Sequence, residues 1–348
     1  MNFASDNTGP AHPRVMEALM RANEGRATSY GADALMEEVR TLVREAFEAP
    51  EAAVYLVATG TAANSLILAT LAQPWQAIFC SEVAHIHEDE CNAPEFYTGG
   101  AKLTIVPHEA GMMDPDALAR AYEAEESRGV HGPQRGPVSI TQVSEKGGVH
   151  TLDHLRALTG VARRFGQPVH MDGARFANAL VALGCSPAEM TWKAGVDAVS
   201  LGGTKNGLLG VEAVVFFDPA HAWQFELRRK RAGHLFSKHR YLSAQMAAYL
   251  QDDLWIEMAQ AANAAAARLV RGLKQRPDVT LAHDPRANIV FADWPRAAHR
   301  RLQEAGATYY IWNGGLEGPD DEALTARLVT DWSMPHADID RFLDLMSG

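Results

Sequence analysis

Pro168-Val169-His170-Met171-Asp172-Gly173-Ala174-Arg175 is a short apolar run that ends on a carboxylate and passes through a glycine into a helical pattern. Lys205 follows 33 residues after Asp172, inside Gly202-Gly203-Thr204-Lys205-Asn206-Gly207, after a second apolar run at 196–201. Two strand ends carrying a carboxylate and a lysine predict a parallel sheet with a site at its carboxyl edge. Ligands of open α/β sheets bind there.

The same grammar extends outward. Strands are predicted at 53–58, 77–80, 102–106 and 138–143. Helices are predicted at 62–71, 114–124, 152–165 and 175–183, and a surface loop at 125–135. This alternation marks a mostly parallel sheet covered by helices. The run Glu212–Phe217 follows the lysine turn too closely for a helical crossover, so an antiparallel neighbour is expected. A long alanine-rich helix at 255–274 leads into a smaller α/β layer, with strands near 288–291, 308–311 and 327–330 and helices near 296–305 and 337–346. The expected division is an N-terminal arm of residues 1–15, a large domain of 16–250 and a small C-terminal domain of 251–348.

The 348 residues carry 32 Lys+Arg against 43 Asp+Glu, a formal net charge of −11. An acidic balance argues against a partner that is nucleic acid or an anionic membrane surface. Three cysteines without a C-x-x-C pair suit a reducing compartment. No apolar run reaches the roughly 20 residues of a membrane helix. Residues 1–7 lack a basic stretch followed by an apolar one. A cytoplasmic enzyme is expected.

Ala58-Thr59-Gly60-Thr61-Ala62-Ala63-Asn64 joins a strand end to a helix start. Free N–H groups and the helix dipole at such a junction hold phosphate, although a plain Thr cap would look the same. A lysine amine can bond to a carbonyl, and a nearby carboxylate can keep a pyridine nitrogen protonated. Pyridoxal phosphate (PLP) chemistry needs that pair.

Ser5-Asp6-Asn7, Ser29-Tyr30-Gly31, Thr59–Asn64, Ala84-His85-Ile86, His170–Arg175 and Gly202–Gly207 occur in order. Together they resemble the low-specificity L-threonine aldolases, PLP-dependent carbon–carbon lyases of fold type I (aspartate-aminotransferase-like), from residue 3 to about 342. The resemblance implies that Lys205 carries PLP, Asp172 pairs with the pyridine nitrogen, Gly60 and Thr61 hold the phosphate, and His85 stacks on the ring. It implies Ser5, Arg175 and Arg327 as binders of the substrate α-carboxylate, which a guanidinium fork suits. It also implies a homotetramer of close dimers, with Tyr30 reaching a neighbouring subunit's site. The chain departs from the family at one turn. Where many members carry a histidine, Val143-Ser144-Glu145-Lys146-Gly147-Gly148 places Glu145.

The reaction so implied is cleavage of L-threonine or L-allo-threonine, and of relatives such as phenylserine, to glycine and an aldehyde. His85, then Glu145, are the candidate bases for the β-hydroxyl proton. The alternative on the same scaffold is a β-eliminating lyase with Lys205 as base; a non-catalytic binding protein would not need the Lys/Asp pair. His85-Ile86-His87-Glu88-Asp89 also contains a metal-like H-x-H-x-D, but no second cluster accompanies it, so no metal is expected and 88–90 is read as opening a polar helix. The basic run Arg228-Arg229-Lys230-Arg231 is read as the solvated last turn of a helix, with a phosphate contact as the other reading.

Overall fold

The computed structural model describes residues 1–346. Its strands are β1 (Ala53–Val57), β2 (Gln76–Ser81), β3 (Lys102–Val106), β4 (His108–Glu109), β5 (Met112–Met113), β6 (Gln134–Thr141), β7 (Val169–Gly173), β8 (Ala198–Gly202), β9 (Glu212–Phe216), β10 (Thr280–Leu281), β11 (Ile289–Pro295), β12 (Tyr310–Ile311) and β13 (Ala323–Val329). Seven form the main sheet in the order β1-β9-β8-β7-β6-β2-β3. Only β9 runs against its neighbours, as its short connection from β8 requires. Every residue of β1, β7, β8 and β9 is buried, because helices cover both faces of the sheet. β10-β11-β13-β12 make a second, wholly antiparallel sheet.

Local chemistry explains the elements that matter for the site. The helix Gly60–Leu71 is mostly apolar and uncharged, and eight of its residues are buried. Thr59 caps it, its side chain accepting from the Ala62 N–H. Asp114 caps Pro115–Ala124 with proline in the first turn. The helix Leu254–Leu273 spans both cores. Leu254, Trp255, Met258 and Ala259 pack in the large one, and Ala265, Ala266, Leu269, Val270 and Leu273 in the small one. Its alanines admit the helix Phe176–Leu183, to which Asn178 and Asn263 tie it by reciprocal hydrogen bonds.

The first residues belong to the small layer. Phe3 is fully buried there against Phe342, and its N–H donates to the Thr308 carbonyl at 2.7 Å. The helix Pro13–Ala22 then runs across residue 15.

Some expectations are corrected. Residues 88–90 do not open a helix: the single turn His85–Glu88 ends there, and Glu90 is buried because His85 and Asn64 draw its carboxylate inward. The loop at 125–135 contains a 3-10 turn, Gly129–His131, and β6 begins at Gln134 and stops at Thr141. Among the described residues no helix is long and apolar enough to cross a membrane.

Candidate active site

A cavity of about 570 Å³ opens at the carboxyl ends of β6, β7 and β8, under the small sheet. Its wall includes nine of the ten candidate site residues: Ser5, Gly60, Thr61, His85, Glu145, Asp172, Arg175, Lys205 and Arg327. Tyr30 is not part of this wall. It is 49% exposed, and the Lys230 ammonium sits 4.8 Å from its ring centre.

At one end lies the helix Gly60–Leu71. Ala62 and Ala63 N–H bond to Thr59, which leaves the Gly60 and Thr61 N–H groups at the cavity with the positive end of the helix dipole. At the floor, Lys205 sits in the 3-10 turn Thr204–Asn206. Tyr249 braces that turn: its hydroxyl donates to the Gly202 carbonyl at 2.9 Å and accepts from Asn206 Nδ2 at 2.9 Å. The glycines allow the approach, since a Cβ on Gly202 would lie 2.4 Å from the Ala174 carbonyl oxygen. Burial pushes the Lys205 amine below its ordinary value and Arg175 adds to this, while Asp6, Asp172 and Glu212 oppose it.

Asp172, the penultimate residue of β7, has both carboxylate oxygens held. Oδ1 accepts from the Ala174 N–H at 3.0 Å and Oδ2 from Asn64 Nδ2 at 2.8 Å. Asn64 Nδ2 also donates to Glu90 Oε1 (2.9 Å), which meets His85 Nδ1 (2.9 Å), and Asn64 Oδ1 accepts from Ser200 Oγ (2.9 Å). Asp172, Asn64, Glu90 and His85 are thus one hydrogen-bonded chain beneath the cavity. The Glu90 bond raises the His85 imidazole above its usual value, against burial. Sequence reasoning missed Asn64 and Glu90 as site residues. A signal existed for Asn64, which lies one helical turn after Gly60 and so shares its face.

Glu145 lies beside His85 on the cavity wall. Its Oε1 accepts from the His85 backbone N–H at 2.7 Å and from Thr141 Oγ1 at 3.0 Å. Its Oε2 is sequestered without a partner. Burial, with the Asp172 charge, pushes this carboxyl up to about 7.

Part of the Arg175 guanidinium is already engaged. Asp6 already holds one edge of that guanidinium, with Nε–Oδ2 at 2.7 Å and Nη2–Oδ1 at 2.9 Å. Nη1 and the second Nη2 proton are what remain for a substrate. Burial pushes the Asp6 carboxyl up, but Arg175 and Lys205 together hold it below its ordinary value. Arg327 on β13 donates to the Ala4 carbonyl at 3.3 Å and stands opposite Tyr310 of β12. Ser5 Oγ accepts from the Asn7 N–H.

The basic run does end the helix Ala222–Arg231, but Arg229 departs from the solvated reading. It is 3% exposed, lies over the Tyr55 ring and bonds to Glu226 and the Leu56 carbonyl. His87 Nδ1 meets the Glu82 carbonyl, and among the described residues no group of three or more His, Cys, Asp and Glu could hold a metal ion.

These residues fit PLP. Lys205 has an amine biased toward neutrality, Asp172 is a fixed carboxylate, Gly60 and Thr61 offer N–H donors for a phosphate, and Glu145 Oε2 is an acceptor still lacking a donor. Fold and site together define a PLP-dependent enzyme of fold type I.

The family model of the beta-eliminating lyases matches residues 2–295. A low specificity L-threonine aldolase of Pseudomonas aeruginosa is 39% identical over 343 residues, 99% of this chain and 95% of that one. Its counterpart from a Pseudomonas species is 38% identical over 337 residues, 96% and 94% of the two chains. The chain therefore belongs to the beta-eliminating lyase family, among the low-specificity L-threonine aldolases. The fold agrees with the solved threonine aldolase of Leishmania major, at TM-score 0.92 and 24% identity over 99% of this chain and 98% of that one. It agrees less closely with Sphingomonas wittichii serine palmitoyltransferase, at TM-score 0.72 and 15% identity over 99% and 86%.

Proposed function

We propose that this chain cleaves L-threonine, L-allo-threonine and related β-hydroxy-α-amino acids such as phenylserine to glycine and an aldehyde. The observation that carries this reading is the convergence of Lys205 and Asp172 with two proton acceptors, His85 and Glu145, in one cavity. Bound PLP supplies an electron sink for the bond broken at Cα.

The chain's own residues do the rest. Lys205 binds the cofactor covalently, Asp172 keeps its ring nitrogen protonated, and the Gly60 and Thr61 N–H groups hold its phosphate. His85 packs on its ring. Ser5, Arg327 and the remaining Arg175 donors bind the substrate carboxylate. Nδ1 of His85 is committed to Glu90, so Nε2 is the ring atom that takes the β-hydroxyl proton. Glu145, whose carboxyl is near half-ionised at neutral pH, is the second acceptor.

The active assembly in this reading is a cytoplasmic homotetramer of close dimers. Tyr30 points from one subunit toward its neighbour's cavity, and the large and small domains divide near residue 250. Incubating the PLP-loaded protein separately with L-threonine, L-serine and L-cysteine tests the reaction. Glycine with acetaldehyde from threonine is the expected result. Pyruvate from serine or cysteine, with no glycine from threonine, would establish β-elimination instead. A fully active monomer in sedimentation would overturn the assembly.

A further inference from the structure

Glu212 takes no part in the chemistry assigned above, yet it is a buried carboxylate on the cavity wall, 7% exposed. It begins β9 and stands in register opposite Gly202, the last residue of β8. Its Oε2 accepts the Gly203 N–H at 2.7 Å, so it grips the backbone of the turn that presents Lys205. Lys205 and Glu212 each feel the other's charge.

The remaining groups around this pair are few. Asp6 and Arg175 act on Lys205, Asp172 acts on both Lys205 and Glu212, and the Tyr249 phenol, buried under the turn, lies in the field of Glu212. The helix Gly60–Leu71, which packs on β9, carries no charged residue. Neighbouring β1 brings only Tyr55, which lies under Arg229. Burial pushes the Glu212 carboxyl up to about 7, where it exchanges a proton near neutral pH.

We propose that Glu212 is a positioning residue for Lys205: it fixes the lysine turn through Gly203 and sets a carboxylate charge near that turn which favours the protonated form of the lysine nitrogen. The inference rests on the reading of Lys205 as the cofactor lysine.

The test is the visible absorbance of the PLP-loaded wild type, E212Q and E212D, followed from about pH 5 to about pH 10. The side-chain amide oxygen of E212Q can still accept the Gly203 N–H, so this variant is expected to bind PLP within about threefold of wild type. Its absorbance midpoint is expected to fall by about one pH unit, a tenfold change in ionisation constant, because an ionised carboxylate no longer favours the protonated nitrogen. E212D, which keeps the charge, is expected to lie between the two. A coloured E212Q that titrates at the wild-type pH overturns the inference, since this variant keeps the turn's grip and loses only the charge. If circular dichroism shows E212Q unfolded, E212A, which also removes the charge, decides, and an unchanged midpoint in a folded, coloured E212A overturns it. A wild type that stays colourless with PLP overturns the cofactor reading, and the inference with it; an unchanged midpoint in a coloured protein overturns the inference alone.

Discussion

Replacing Asp6 by Ala removes the carboxylate that holds Arg175. Both side chains are buried, Asp6 at 4% and Arg175 at 6% exposure, and the pair is bidentate. Asp6 Oδ2 also accepts from Asn288 Nδ2 at 3.0 Å. The variant leaves a buried guanidinium without its counter-charge and three donors without their acceptor, which costs about 3–5 kcal/mol. Asp6→Asn is milder. Its amide oxygen can replace Oδ2 and keep two of the three donors, while its NH2 group meets Arg175 Nη2, a loss of about 1–3 kcal/mol. Urea unfolding followed by circular dichroism measures both, at unchanged slope. The pH dependence has a defined sign. The folded Asp6 carboxyl lies below its ordinary value of 3.8, so the advantage of wild type over D6N is complete above about pH 4 and disappears as pH falls through the folded value. A D6A protein within about 1 kcal/mol of wild type, or a gap to D6N that widens on acidification, would refute the argument.

Three further outcomes are expected. Glu90→Gln weakens the bond that raises His85, so the acid limb of kcat/KM should move to lower pH; an unmoved limb would exclude His85 as the titrating group. Glu145 has the opposite linkage to Asp6. Its folded carboxyl is raised from 4.5 to about 7, so the PLP-free wild type should lose stability relative to E145Q as pH rises through that window, by up to about 3 kcal/mol, with no further loss above it. Urea midpoints at about pH 5 and about pH 8 measure this, and equal differences at the two would contradict it. Gly202→Ala drives a Cβ to 2.4 Å from the Ala174 carbonyl oxygen; at least about 2 kcal/mol of stability should go, along with PLP binding, as a thermal melt and absorbance titration would show.

Local pattern was enough to place Asp172 and Lys205, because a strand end and a glycine turn are written in adjacent residues. The antiparallel course of β9 followed from the shortness of its connection, and the helix after Asp114 from a cap and a proline. Glu90 was misread because polarity along the chain says nothing of burial: His85 and Asn64 pull its carboxylate inside. That Asp6 already occupies part of the Arg175 guanidinium was not legible in the sequence, because the two lie 169 residues apart. The sequence alone determined which groups carry the chemistry and at which strand ends they stand. Only the tertiary structure decided how each is charged and what it still has free to bind. A side chain's ionisation depends on the partners and burial that the fold brings to it, and most of those partners are distant in the chain.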